Sequence, residues 1–425
     1  MDYKKTTIKI LAECCRLLIG LVFAFSGFVK AVDPVGWIIK INEYLSAFGL
    51  DALKIFSGII AFNLSAIEFM LGICVLLGVY RRYSSFLVLL FMTFMTPLTL
   101  YLALFNPVSD CGCFGDAIVL TNWQTFYKNI VFWVATVFLF IYNQRILALF
   151  TFRSYWFVAL YAYSMCVLFS YQNYAHLPVK DFRPYKIGAN ISALMKTPEG
   201  GDEDEYEYTF VYEKDGVEKE FSLNDYPADD PSWHFVETKS KLIGQGSVPP
   251  ITDFVFFNDS DQEMTEEILA NERGVLLLIS PKLEKANDQK VDEINSLFDY
   301  AHEHQIAFYC VTASTKREIQ KWVDRTGAEY PFLMGDEVVL KTIIRSNPGL
   351  VLLKNATIFA KWHNNDIPHE ERIPKVLSDY LSKDSIQPRE EDRKIAVGLL
   401  AFAVPLLFVW AYDFFRYRRK KKKEK

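Results

Sequence analysis

Six apolar runs constrain this chain more than any other feature. They lie at about Ile10–Phe28, Phe56–Val79, Phe86–Phe105, Ile130–Leu149, Tyr155–Tyr171 and Ile395–Phe415. A helix needs ~20 apolar residues to cross the hydrocarbon core of a bilayer, so each run reads as a transmembrane span. The chain has 425 residues, 51% of them apolar, yet long polar stretches separate the fifth run from the sixth. That mixture implies a membrane part joined to a water-exposed part.

Orientation follows from where Lys and Arg collect. Lys4, Lys5 and Lys9 precede the first run, Arg81 and Arg82 follow the second, and Arg145 and Arg153 follow the fourth. The tail Arg416-Tyr417-Arg418-Arg419 continues into Lys420 to Lys423. By the positive-inside rule all of these face the cytoplasm, which six spans satisfy at once. The expected location is a bacterial inner membrane, with both termini cytoplasmic and residues 173–392 periplasmic. The first run has no cleavage site after it and reads as a retained anchor. The basic tail reads as a stop-transfer signal and anionic-lipid anchor, so membrane lipid is an expected partner and nucleic acid is not.

Topology also sorts the seven cysteines. Cys14, Cys15, Cys74, Cys166 and Cys310 fall in apolar helices or an apolar strand and read as small buried residues. Cys111 and Cys113 stand in the loop Asp110-Cys111-Gly112-Cys113-Phe114-Gly115-Asp116, on the oxidising side. Closing a disulfide across one glycine makes a small strained ring, and strain raises the reduction potential. Gly112 permits backbone angles that a side chain forbids. The flanking Asp110 and Asp116 work against thiolate formation. A redox-active pair, a static disulfide and a pair of metal ligands all remain open. The last is the poorest fit, because two thiolates leave a tetrahedral site half filled.

Glu68 lies near the middle of the second span, where an unpaired ionisable group costs several kcal/mol. Arg16 and Lys30, on the first span, are its expected partners. The role is open between a functional carboxyl and a structural ion pair. Gly20, Gly27, Gly72 and Gly78 read as points of close helix packing. The segment Asp33–Leu45 has helical spacing with a mixed polar face, which suits a helix roofing the bundle beside the cysteine loop.

Arg16, Gly20, Ser26-Gly27, Lys30 and Asp33-Pro34, then Glu68 and Gly72, and then the Asp-Cys-Gly-Cys-Phe-Gly loop resemble the DoxX superfamily, with the loop closest to its MauE-like branch. The resemblance covers roughly residues 8–150. It implies a four-helix unit acting in disulfide formation or maturation of extracytoplasmic enzymes. It also implies a quinone as electron acceptor, with Cys111, Cys113 and Glu68 as catalytic residues and Arg16 and Lys30 as candidates for holding the cofactor. No metal is expected.

The polar part begins with an acidic run, Glu199 to Glu207, that reads as a loop, and a hairpin around Lys214-Asp215-Gly216. From Val275 the pattern becomes strand, helix, strand, helix, a further helix, a strand pair and a closing helix. This order resembles a thioredoxin fold over about 255–382, and Asn347-Pro348 stands where that fold places a cis-proline. The family's Cys-x-x-Cys is replaced by Ser280-Pro281-Lys282-Leu283. The domain therefore reads as a binding module for a protein client, with Pro348 beside the groove.

The expected fold is thus an all-α membrane bundle, a DoxX-like four-helix unit plus extra spans, with an extracytoplasmic α/β thioredoxin-like domain. Its parts are 1–150, a fifth span at 151–172, a linker and hairpin module at 173–254, the thioredoxin-like domain at 255–392 and a final span and tail at 393–425. The leading function is quinone-linked thiol–disulfide redox. A non-catalytic scaffold and a transporter centred on Glu68 are the rivals. No phosphate-binding loop, His-Glu-x-x-His pattern or nucleophile elbow is present, so nucleotide-driven and hydrolytic chemistry has no support.

Overall fold

A computed structural model describes residues 2–108, 110–196, 205–214, 217–222, 234–244, 249–382 and 389–423, with only the backbone for residues 2, 4, 205–214, 217–222, 234–244, 389–392 and 417–423. The chain opens with helix α1 (Asp2–Val32), and Asp33-Pro34 turns it into α2 (Pro34–Ala47). Asp33 caps α2 by accepting from the Gly36 amide, while Pro34 occupies a first-turn position where a missing N–H costs nothing. Then come α3 (Ser57–Leu77), α4 (Arg81–Phe105), α5 (Asn122–Ile141) and α6 (Tyr155–Ala175).

Close approach of α1 and α3 sets the bundle. A Cβ at Gly27 would strike the backbone of Ser65 and Phe69, and one at Gly72 would strike the backbone of Ala24. The two helices can meet at this distance only without those side chains. Valine at Gly72 is therefore expected to cost about 3 kcal/mol through overpacking, read as a lowered unfolding midpoint of the detergent-solubilised chain.

The described residues include four helices long and apolar enough to cross a membrane: Asp51–Leu77, Arg81–Phe105, Asn122–Ile141 and Arg393–Arg416. The remaining two expected spans are α1 and α6, which pack against α3 in the same bundle. The fourth span differs from its expected limits. Thr121 and Gln124 form a reciprocal capping box that starts the helix at Asn122, and it ends at Ile141. The apolar residues Ile146–Leu149 are not helical. They run beside the end of α3, where the Leu149 amide donates to the Leu77 carbonyl and Arg81 donates to the Ile146 carbonyl.

The polar domain, here called the head, starts with the short helix α7 (Ile191–Leu194) and a three-stranded antiparallel sheet of β1 (Glu205–Lys214), β2 (Val217–Ser222) and β3 (His234–Gly244), in the order β2-β1-β3. The hairpin turn at Asp215-Gly216 and residues 199–204 of the acidic run lie outside the described residues, while Glu205–Glu207 belong to β1. After α8 (Thr265–Leu269) come β4 (Val275–Ser280), α9 (Val291–Glu303), β5 (Ala307–Thr312), α10 (Lys316–Thr326), β6 (Phe332–Met334), α11 (Glu337–Ile343), β7 (Gly349–Lys354), β8 (Thr357–His363) and α12 (Ile373–Leu381). Helix α13 (Arg389–Lys423) closes the chain.

Strands β4 to β8 form one sheet in the order β6-β5-β4-β7-β8, parallel among β4, β5 and β6 and antiparallel from β4 to β7 and from β7 to β8. This is a thioredoxin-like arrangement. Its central strand is buried on both faces because side chains alternate. Leu276 and Leu278 pack with Ile294, Leu297 and Trp322, whereas Val275, Leu277 and Ile279 pack with Ile268, Leu340 and Ile343.

The boundary expected at residue 254 falls inside this core. Tyr185, Ile191, Ile251 and Phe254 are buried in the second cluster, so residues flanking the small sheet belong to the thioredoxin-like domain. The same segments pair with one stretch of each edge strand of this five-stranded sheet. Phe257 exchanges backbone hydrogen bonds with Met334 of β6, and the Gly188 amide and Ala189 carbonyl pair with Ile358 of β8.

Candidate functional site

The loop between α4 and α5 is shaped by its glycines and fastened by its polar neighbours. Gly112 has φ +64° and Gly115 has φ +51°, both in the left-handed region that glycine occupies without penalty. The Gly112 amide donates to the Asp110 carboxylate at 2.7 Å, and Asn122 donates to the Val108 carbonyl at 3.1 Å. The Cys111 and Cys113 sulfurs face each other at 2.6 Å.

Helix α2 roofs the loop, as its amphipathic spacing suggests. Tyr44 donates its hydroxyl to the Cys111 carbonyl at 2.9 Å, and the Lys40 stem lies against Gly112. Cys111 is consequently buried. The two flanking acids are both neutralised: Lys40 pairs with Asp110 at 3.1 Å, and Arg345 from the head reaches Asp116 at 3.2 Å and Asp33 at 2.9 Å. The negative field expected from Asp110 and Asp116 is thus met by cations.

Beneath the loop, Lys30 and Glu68 form a buried ion pair. The Lys30 ammonium lies 2.8 and 2.7 Å from the two carboxylate oxygens, with the residues 5% and 2% exposed. Its remaining side faces the Trp37 ring at 4.6 Å. Ser26 joins this pair to the loop, with its Oγ 2.8 Å from Glu68 and 2.7 Å from the Cys113 carbonyl oxygen. Of the two expected partners of Glu68, the structure selects Lys30. Arg16 sits four turns away along α1, bound to Glu13 and to the Leu76 carbonyl, and takes no part in the site.

A cavity opens beside Cys113. Phe23, Phe91, Met95 and Phe132 supply its apolar walls, and Glu68, Lys30, Lys128 and Asn129 also line it. Lys128 lies 4.2 Å over the Phe114 ring. Cys113 is held below the ordinary thiol range, at about 7, by the hydrogen bond from Cys111 and the positive charges of Lys128 and Lys30, against its burial. Cys111 is pushed well above that range by its hydrogen bond to Cys113 and by burial. Only the thiolate is nucleophilic, so alkylation of Cys113 by a small reagent is expected to rise about tenfold per pH unit up to about pH 7 and then level off. Cys111 should stay slow throughout, and mass spectrometry of the labelled chain reads both rates.

The other cysteines sit apart. Cys15, Cys74, Cys166 and Cys310 are buried, but Cys14 is exposed on α1 and departs from the expectation of burial. Among the described residues no group of three or more His, Cys, Asp or Glu is placed to hold a metal ion.

In the head, the Asn347-Pro348 peptide is cis. The carbonyl of Asn347 accepts from the Asn287 amide at 2.9 Å, and its side chain bonds Ser280 and the Lys282 carbonyl. The cleft beside it is lined by Val35 and Ile39 of α2 and Tyr171 and Tyr174 of α6 as well as by head residues. The cis-proline face is therefore turned toward the bundle, with Asn365 donating to the Ala175 carbonyl and His176 meeting Asp366 at 2.6 Å. Pro348 borders an intramolecular contact, and the edge strands of the five-stranded sheet are paired at Met334 and Ile358.

Ser26, Lys128 and Arg345 were not legible as site residues. Ser26 entered only as part of the Ser26-Gly27 motif, Lys128 carries no motif of its own, and Arg345 reaches Asp116 of the loop across 229 residues. The signal for Ser26 was its place one turn before Lys30 on the same helix face.

Comparison with known proteins locates these parts. Residues 8–142, about a third of the chain, match the family model of the methylamine utilisation protein MauE. Residues 206–245, the small three-stranded sheet, match a domain of unknown function, DUF8463. No curated protein matches. A solution structure from Bacteroides thetaiotaomicron, designated a candidate protein disulfide isomerase, is 15% identical, covering 31% of this chain and 87% of that one with a TM-score of 0.24. The chain is a membrane protein that joins a MauE-like helical region to a thioredoxin-like head.

Proposed function

We propose that this chain is a thiol–disulfide oxidoreductase of a bacterial inner membrane, in which Cys111 and Cys113 cycle between dithiol and disulfide and a quinone takes up the electrons. The observation that carries the reading is the placing of Cys113 at the wall between a polar roof and an apolar cavity, directly above a buried ion pair. In this reading α1 and α6 also cross the membrane, both termini are cytoplasmic and the head is periplasmic, which agrees with the basic residues at Arg81, Arg82 and the tail. The kinship of the bundle to the wider DoxX group belongs to the same proposal.

The lining would suit a quinone ring in chemistry: Phe23, Phe91, Phe132 and Met95 would hold a flat apolar body, and Lys128 and Asn129 would offer it hydrogen-bond donors. The chemistry such a group supplies when bound is acceptance of two electrons and two protons. The protein's own residues do the rest. Cys113, the more acidic thiol, is the better leaving group when a client thiolate attacks Cys111. Glu68, ion-paired with Lys30 and joined to the loop through Ser26, is the base assigned to take up a proton leaving the pair, and Tyr44, Lys40 and Asn122 keep the loop in place.

A second reading has one observation in its favour. Cys111 is covered by α2, which itself bears the head, as a fixed clip in a scaffold would be. Thiol trapping in native membranes separates the two. After mild reduction, both thiols are expected to disappear when oxidised quinone is added back. A pair that resists reduction, or stays reduced with quinone present, would point to the scaffold.

A further inference from the structure

Ser26 has one hydroxyl proton and two candidates for it. Its Oγ lies 2.7 Å from the Cys113 carbonyl oxygen and 2.8 Å from Glu68 Oε2. A carbonyl can only accept, and so can an ionised carboxylate, so both contacts cannot be hydrogen bonds while Glu68 is charged. The charged carboxylate is the stronger acceptor, and the hydroxyl then turns to Glu68 and away from the loop. Once Glu68 carries a proton, its carboxyl donates to Ser26 and the hydroxyl is released to the Cys113 carbonyl. Both contacts are then satisfied, in a place where unmet polar groups are costly.

We propose that Ser26 is a one-proton switch, a positioning residue that transmits the charge state of Glu68 to the Cys113 peptide. The proposal rests on the redox reading for its use. Closing the pair breaks two S–H bonds, forms one S–S bond and releases two electrons and two protons. Both electrons and both protons pass to the quinone-class acceptor, which leaves as the quinol, and Glu68 holds one of the protons on the way. Each oxidation thereby hands the Ser26 hydrogen bond to Cys113, and each return of the charge withdraws it. The groups facing Glu68 are Lys30 on α1, Cys113 in the loop, Lys128 on α5 and Cys166 on α6, while α4 presents only Phe91, Met92 and Met95 to the cavity.

The test is infrared spectroscopy of the full-length protein labelled with carbon-13 at the cysteine carbonyls, with the Cys113 band identified by difference from Cys113→Ser. That band is expected to move to lower frequency as the Glu68 carboxyl gains its proton. Ser26→Ala should abolish the movement, Ser26→Thr should restore it, and Glu68→Gln, whose amide donates to Ser26 at every pH, should fix the band in its bonded position. A Cys113 band that stays still while the protonated-carboxyl band of Glu68, assigned by its loss in Glu68→Gln, grows overturns the switch, as does movement that survives in Ser26→Ala. Quinone-dependent reoxidation is read in the same preparation. A band that moves in a pair that never reoxidises removes the redox reading and leaves the switch standing.

Discussion

Leucine at Glu68 is expected to destabilise the bundle by about 3–5 kcal/mol, because it strands the Lys30 ammonium in a site where that residue is only 5% exposed. The cost arises from one uncompensated charge and not from the value of the pair. Removing both partners, as in Lys30→Leu with Glu68→Leu, should therefore recover most of the stability. Denaturant unfolding of the detergent-solubilised chain measures both. Recovery of stability without recovery of thiol cycling would separate the structural part of the pair from its chemical part. A single substitution costing less than about 1 kcal/mol would mean that Lys30 finds water or another acceptor, and the pair would lose its claim to hold a proton at this depth.

The second large effect is an asymmetry between the cysteines. Cys113→Ser is expected to abolish quinone-dependent reoxidation and, where the Cys111 thiolate attacks a client disulfide and releases one client thiol, to leave the client held on Cys111 as a mixed disulfide that Cys113 can no longer resolve. Cys111→Ser should lose reoxidation equally but hold less client, because the remaining thiol borders the apolar cavity below the loop and its greater acidity makes it the better leaving group of any mixed disulfide. Non-reducing electrophoresis of membranes carrying each variant reads the difference. Equal capture by both would show that clients reach the loop from either side and would remove the division of roles.

The membrane helices and the cysteine pair were legible because each depends on a strong local signal, the length of an apolar run and the spacing of two thiols. The partner of Glu68 was legible only as a choice of two. Both Arg16 and Lys30 lie on α1, and sequence gives no depth for the facing helix. What decides is the crossing of α1 and α3 at Gly27 and Gly72, which brings Glu68 level with Lys30 and leaves Arg16 about 21 Å away at ~1.5 Å rise per residue. The register of α5 was misread for a similar reason. Ile146–Leu149 is apolar enough to extend a span, but Asn143-Gln144-Arg145 turn the chain and the apolar residues pack as an extended strip. Arg345 was out of reach altogether. It lies in the head, at the end of α11 two residues before Asn347, and meets the loop only because the cis-proline face is turned inward. The same turn changes the expected use of Pro348: the groove that thioredoxin-like domains offer to others here borders the chain's own roof.

The paired edges of the five-stranded sheet have a consequence for crowding. Proteins confined to one membrane face meet their own copies at a high effective concentration, and an open strand edge would be an invitation to pair. Residues 188–189 on one side and Phe257 on the other occupy those edges within each molecule. At those positions a second copy finds no free backbone groups on the five-stranded sheet, so edge-to-edge pairing of two copies there would first have to displace the chain's own segments.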